Sequence, residues 1–194
     1  ESGAVGLGGA GFPTHVKLAY DRSKVKIDYL LLNGAECEPY ITSDYRELIE
    51  NSDNVLAGID LVMTKLEIPK AIIGIEADKP EAIAKLEKLA IRYPNISVQR
   101  LPSAYPQGAE KVLVHTLTGR IIGEGKLPSD VGCMVMNVST AGFIYGYVKT
   151  GVPLVKRRIT VDGDIVNSPA NFFIPVGTLL HSVVGFADVR KQPD

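Results

Sequence analysis

Ile27-Asp28-Tyr29-Leu30-Leu31-Leu32-Asn33 is a short, nearly unbroken apolar run that stops at Gly34. A run of this kind reads as a β-strand covered on both faces, since a half-exposed strand would alternate apolar with polar residues. Ala71 to Ile75 and Ile96 to Leu101 have the same strand character. Between the first two strands, Val55, Leu56, Ile59, Val62, Met63 and Leu66 recur at helical spacing, with Ser52 as the expected N-cap and Ile68-Pro69 as the stop. After Asp78-Lys79-Pro80, the residues Ala82, Ile83, Leu86, Leu89 and Ala90 form a second helical stripe. Strand, helix, strand, helix, strand at this spacing implies right-handed βαβ crossovers. The expected fold is therefore α/β, a parallel sheet with helices on its faces.

The pattern continues with a helix through Val112, Leu113 and Leu117 ending near Gly119, a buried strand from Cys133 to Val138, and a helix from Thr140 to Lys149. In such sheets ligands bind beyond the carboxyl ends of the strands, which puts Asn33 to Glu38, Glu76 and Ser103 to Gly108 on one rim. From Leu154 the character changes. Val155, Arg157, Ile159 and Val161 alternate with Lys156, Arg158 and Thr160, and Asp162-Gly163 predicts a hairpin turn toward Ile165-Val166. A boundary near Gly151-Val152-Pro153 divides the chain into an α/β domain, residues 1–151, and a smaller β segment, residues 152–194.

The bulk properties narrow the function. With 45% hydrophobic and 22% charged residues the chain has ordinary globular composition, and its formal net charge of -1 argues against a partner bound by phosphate neutralisation, so no nucleic acid is expected. The one dense basic cluster, Lys156-Arg157-Arg158, reads as the solvated face of a strand. No apolar run approaches the roughly 18 residues of a membrane-spanning helix, so direct membrane insertion is not expected. Cys37 and Cys133 form no C-x-x-C pair, and His15, His115 and His181 are scattered, so no metal site is expected. Glu1-Ser2-Gly3 does not resemble a signal peptide. The glycine motif begins almost at the first residue, as expected of a piece of a longer protein.

That motif, Gly6-Leu7-Gly8-Gly9-Ala10-Gly11-Phe12-Pro13, formally satisfies G-x-G-x-x-G, with Asp28 at a tempting distance for a ribose-binding acid. It is not a Rossmann fingerprint, because no strand precedes it and Pro13 follows Gly11 where a helix should open. The absence of a G-K-[ST] ending also rejects a P-loop. What remains is a loop whose backbone amides can approach a ligand closely, with Phe12 able to stack and Lys17 able to supply charge, or else a glycine-rich turn with no ligand.

Four blocks decide between these. Gly6 to Leu18 (G-L-G-G-A-G-F-P-T-H-V-K-L), Asn33 to Thr42 (N-G-A-E-C-E-P-Y-I-T), Tyr105 to Lys111 (Y-P-Q-G-A-E-K) and Asn137-Val138-Ser139-Thr140 together resemble the NADH-binding C subunit of the Rnf electron-transport complex. They are similar, more distantly, to the flavin-bearing subunit of respiratory complex I. The resemblance implies an FMN pocket in which NADH passes hydride to the flavin. It matches Gly6, Gly8, Gly9 and Phe12 to the flavin loop and Lys17 to the lysine that follows it. Asn33 and Glu36 match residues lining the flavin, and Glu38, with Phe12, matches a position near the nicotinamide dinucleotide. Gly108 and Glu110 match the second acidic loop, and Asn137 and Thr140 the segment near the ribityl phosphate. Leu7, Ala35 and Ala109 depart from the complex I pattern and follow the Rnf side.

The resemblance further implies that residues 152–194 begin a β-grasp-like (SLBB) segment, and that a domain carrying 4Fe-4S clusters lies beyond Asp194. It implies other subunits of a membrane electron-transport complex as partners, and a place on the cytoplasmic face of the cell membrane held through them. Two other readings stay open: a cobalamin-reductase-type flavoprotein, and a non-catalytic module that binds a small ligand or partner.

Overall fold

The computed structural model describes residues 1–190. Four parallel strands, β1 (Tyr29–Gly34), β2 (Lys70–Glu76), β3 (Ile96–Leu101) and β4 (Cys133–Asn137), form a sheet in the order β3-β2-β1-β4. The parallel α/β sheet expected from the sequence is therefore present. Leu30, Leu31 and Leu32 are wholly buried. Because successive side chains alternate faces, Leu30 and Leu32 join one core with Ile73, Ile75, Met134 and Met136, and Leu31 joins the other with Cys133 and Val135. Each such leucine contributes about 1.5–3 kcal/mol relative to exposure.

The first face is covered by α2 (Ser43–Glu50), α3 (Ser52–Leu66), α4 (Pro80–Ala90) and α6 (Val138–Thr150). The other is covered by α5 (Glu110–Thr118), through Leu113, Val114 and Leu117. α3 and α6 cross so closely that a Cβ on Gly58 would lie 1.9 Å from the Ala141 carbonyl oxygen. Only glycine fits at that crossing. A short helix, α1 (Thr14–Leu18), follows the glycine loop, which closes on itself through Gly6 N donating to Phe12 O at 2.8 Å.

Two local expectations change, and one helix is additional. The polar stretch after Gly34 contains α2, whose short apolar stripe, Tyr45, Leu48 and Ile49, packs on the first core. Ser52 is the first residue of α3 rather than its cap, and its hydroxyl donates back to Leu48 O at 2.5 Å. Beyond the sheet, β5 (Lys156–Val161) pairs antiparallel not with Ile165-Val166 but with β6 (Ala170–Pro175), and Val166 instead bridges Val189. A last helix, α7 (Leu180–Phe186), follows.

The β5–β6 hairpin is fastened onto α2 and the loop before it. Arg158 pairs with Glu50 at 2.5 Å and lies 3.7 Å from Glu47, while its guanidinium stacks 4.4 Å from the Phe173 ring. Asn171 Nδ2 donates to Thr42 Oγ1 at 2.8 Å, and Thr42 N donates to Thr160 Oγ1 at 3.1 Å.

Candidate functional site

In the order β3-β2-β1-β4 the chain leaves β1 on one side for β2 and reaches β4 on the other. This reversal opens a crevice at the carboxyl ends of β1 and β4, the place where open α/β sheets hold ligands. Asn33, last but one in β1, and Asn137, last in β4, are partners in register. A cavity of about 430 Å³ sits there, within the range of small-molecule sites. Leu7, Gly8 and Gly9 of the glycine loop line it, together with Asn33 to Glu38 without Gly34, Tyr105, Pro106, Gly108, Ala109, Asn137 and, from the hairpin, Arg157.

The loop is fitted to the amino end of α6. Asn137 is the N-cap, its Oδ1 accepting from Thr140 N at 3.2 Å, and Leu7 N donates to Thr140 Oγ1 at 2.9 Å. A Cβ on Gly8 would stand 3.0 Å from the Asn137 side chain, so a larger residue there would oblige that amide to give way. Gly9 and Gly11 have φ of +115° and +63°, a second reason for glycine at those positions. On the opposite wall Asn33 Nδ2 donates to Gly108 O at 2.9 Å, and Ala35 N donates to Asn33 Oδ1 at 3.1 Å. A Cβ on Gly108 would meet Ala35 O at 2.9 Å. Asn33 thus ties the loop after β1 to the loop before α5.

The acids of the site differ in how they are used. Glu36 caps α2: its carboxylate accepts from Ser43 Oγ, Asp44 N and Tyr45 N at 3.1, 2.8 and 3.0 Å. Its own N–H donates to Glu76 Oε2 at 3.1 Å, and burial raises the pKa of Glu76. Glu38 stands exposed at the outer rim of the cavity. Asp44, which carries no signal in the sequence, accepts from Asn137 Nδ2 at 2.6 Å and Ser139 Oγ at 2.5 Å. Burial lifts its pKa to about 6, with the neighbouring carboxylates of Glu36 and Glu47 adding to the rise and the two hydrogen bonds opposing it.

The remaining residues form a second cluster beside the cavity. Lys17 Nζ donates to Val135 O on β4 at 2.8 Å, lies 3.6 Å from Glu110 and 6.0 Å from the Phe12 ring centroid. Lys17, Phe12 and Glu110 are not part of the cavity lining, nor are Gly6, Thr140 and the exposed His15. Asp28 is at the opposite end of the sheet: it precedes β1 and pairs with Arg120 at 2.8 Å, in keeping with rejection of the Rossmann fingerprint. A larger cavity of about 500 Å³ lies between α2, α6 and the hairpin, lined by Phe143, Tyr147, Pro153 and Phe173 among others. It adjoins the first at Leu7, Ser43, Asp44 and Arg157.

Comparison with known proteins agrees with this geometry. Residues 1–146 match the family of the Nuo51 FMN-binding domain. The chain is 47% identical over 192 residues to the C subunit of the proton-translocating ferredoxin:NAD(+) oxidoreductase complex of Clostridium ljungdahlii, covering 99% of this chain and 42% of that protein. It is 44% identical over 184 residues to the C subunit of the Na(+)-translocating ferredoxin:NAD(+) oxidoreductase complex of Acetobacterium woodii, covering 95% of this chain and 41% of that one. Among solved structures, the NAD+-reducing NiFe-hydrogenase in its air-oxidized state superposes with a TM-score of 0.82 at 25% identity, over 97% of this chain and 37% of the hydrogenase chain. The chain therefore spans less than half the length of these relatives.

Proposed function

The chain belongs to the Nuo51 FMN-binding domain family, with the C subunits of ion-translocating ferredoxin:NAD oxidoreductase complexes among its relatives, and from this we propose that it holds FMN and meets NAD(H) within a subunit of an electron-transport complex. The observation that carries the reading is the crevice at the β1–β4 reversal, walled by a glycine loop pressed against Asn137. The residues fit the group: the cavity has the size of a small-molecule site, and Gly8 and Gly108 keep its walls open, where a Cβ would crowd the Asn137 side chain and the Ala35 carbonyl. Gly8 and Gly9 would supply backbone amides, Gly6 would close the loop through Phe12, and Asn33, Asn137 and Gly108 would fix the walls. FMN, when bound, supplies the hydride acceptor, so the protein needs no nucleophile of its own. Glu38 at the rim and Phe12 beside the loop would face the nicotinamide dinucleotide, and Lys17 with Glu110 would set the charge next to the flavin.

On this reading residues 1–151 are the FMN/NADH domain, and residues 152–194 belong to a β-grasp-like (SLBB) segment. Its partners would be the other subunits of a membrane complex, at the cytoplasmic face of the membrane, with 4Fe-4S clusters held elsewhere in the full-length protein. Among the described residues no helix is long and apolar enough to cross a membrane. Titration with FMN, followed by visible absorbance, tests the proposal. Saturable binding and anaerobic bleaching by NADH are the expected results; a folded protein that binds no FMN would overturn it.

A further inference from the structure

Among the described residues, Arg157 is the sole basic residue lining the 430 Å³ cavity. It comes from β5, outside the parallel sheet, and reaches back to the glycine loop, where its Nη2 donates to Leu7 O at 3.0 Å. No carboxylate among the described residues lies within ion-pair distance of it, and its Nε is buried without an acceptor. Its neighbour Arg158 also has a buried, unpartnered Nε, but that guanidinium already pairs with Glu50 and Glu47. The two adjacent arginines thus divide the work: Arg158 fastens the hairpin, and the charge of Arg157 is unmatched. A half-buried guanidinium whose Nε lacks an acceptor is favourably completed by an anion, and its planar fork suits phosphate.

The acids around the cavity say where such a phosphate can sit. Glu36 is bound to the amino end of α2, Asp44 is bound to Asn137 and Ser139, and Glu38 is on the open rim. A dianionic phosphate is repelled from the Glu38 side and finds its one cation at Arg157. We infer that Arg157, supplied by the C-terminal hairpin, binds the phosphate monoester of the flavin and so makes the site selective for the phosphorylated cofactor. This rests on the FMN reading given above and extends it to a residue from the second segment of the chain.

The test is fluorescence titration of the whole chain with FMN and, separately, with riboflavin, for the parent protein, Arg157→Gln and Arg157→Lys. Loss of a charge-assisted contact predicts that Arg157→Gln weakens FMN binding about 10- to 100-fold, leaves riboflavin binding within about twofold, and so erases the preference for FMN. Arg157→Lys, which keeps the charge and loses the fork, should retain part of that preference. Equal losses for both ligands would mean that Arg157 only steadies Leu7, and would overturn the inference, as would no loss for either. If Arg157→Gln does not fold, the ratio of FMN to riboflavin affinity in Arg157→Lys decides: an unchanged ratio overturns the inference. Failure of the parent protein to bind FMN would overturn the proposed function itself, a result read in a separate arm.

Discussion

Asp44 and Asn137 share a 2.6 Å hydrogen bond in which the amide of the α6 N-cap donates to a carboxylate from the first turn of α2. This contact links the two helix starts that flank the crevice. It also predicts a pH dependence of stability. Burial raises the Asp44 pKa from 3.8 to about 6, so between about pH 4 and pH 6 the folded protein holds a proton that the unfolded chain has released. The stabilisation is full below pH 4 and is lost as the pH rises through 6. Its size is up to roughly 3 kcal/mol, from a rise of about two units. Urea unfolding across this range should show the fall in the parent protein and a much flatter profile in Asp44→Asn. Equal profiles in both would refute the assignment.

Gly8→Val places two methyl groups where even a Cβ would stand 3.0 Å from the Asn137 amide. Gly8 is exposed, so the variant should unfold within about 0.5 kcal/mol of the parent. Its FMN affinity should fall at least about tenfold, because the loop can no longer rest against α6. Retained affinity would show that the ligand does not depend on this approach.

Gly58→Ala is predicted to be severe for a different reason. The new methyl would stand 1.9 Å from a backbone oxygen of α6, which cannot rotate away. Separating α3 from α6 should cost about 3 kcal/mol or more. Because α6 carries Asn137 and Thr140, FMN affinity should fall with it, and thermal unfolding with and without FMN measures both effects.

Glu36→Ala removes the group that receives two backbone amides and a hydroxyl at the start of α2. The expected loss is about 1–2 kcal/mol, as for other helix caps. Glu36→Gln, which keeps an acceptor oxygen, should lose less. Denaturant midpoints separate the two variants, and equal stability of Glu36→Ala and the parent would contradict the capping role.

The same contacts explain which parts of the molecule are legible in its sequence. The strand at Leu30 to Leu32 is legible because burial on both faces leaves an unbroken apolar run. α2 is less so, since its apolar stripe is only three residues long, Tyr45, Leu48 and Ile49, and its start is fixed from outside by the Glu36 carboxylate. The partner of β5 is misread from sequence because Asp162-Gly163 is a local turn signal, whereas Arg158, Thr160 and Asn171 anchor the actual hairpin to α2 and Thr42. Within the site, glycine spacing points to the loop. Asp44 gives no signal, because its role depends on burial between two helices. Arg157 reads as part of a solvated strand face for a related reason: its contact with Leu7 joins residues 150 positions apart.

That long reach bears on how the protein is made. Leu7 leaves the ribosome 150 residues before Arg157, yet the two enclose one cavity. During synthesis the glycine loop emerges well before the strand that closes over it. The pocket cannot be complete until at least residue 157 has been released and folded back, so secure cofactor loading waits for the hairpin and cannot accompany the emergence of the glycine loop.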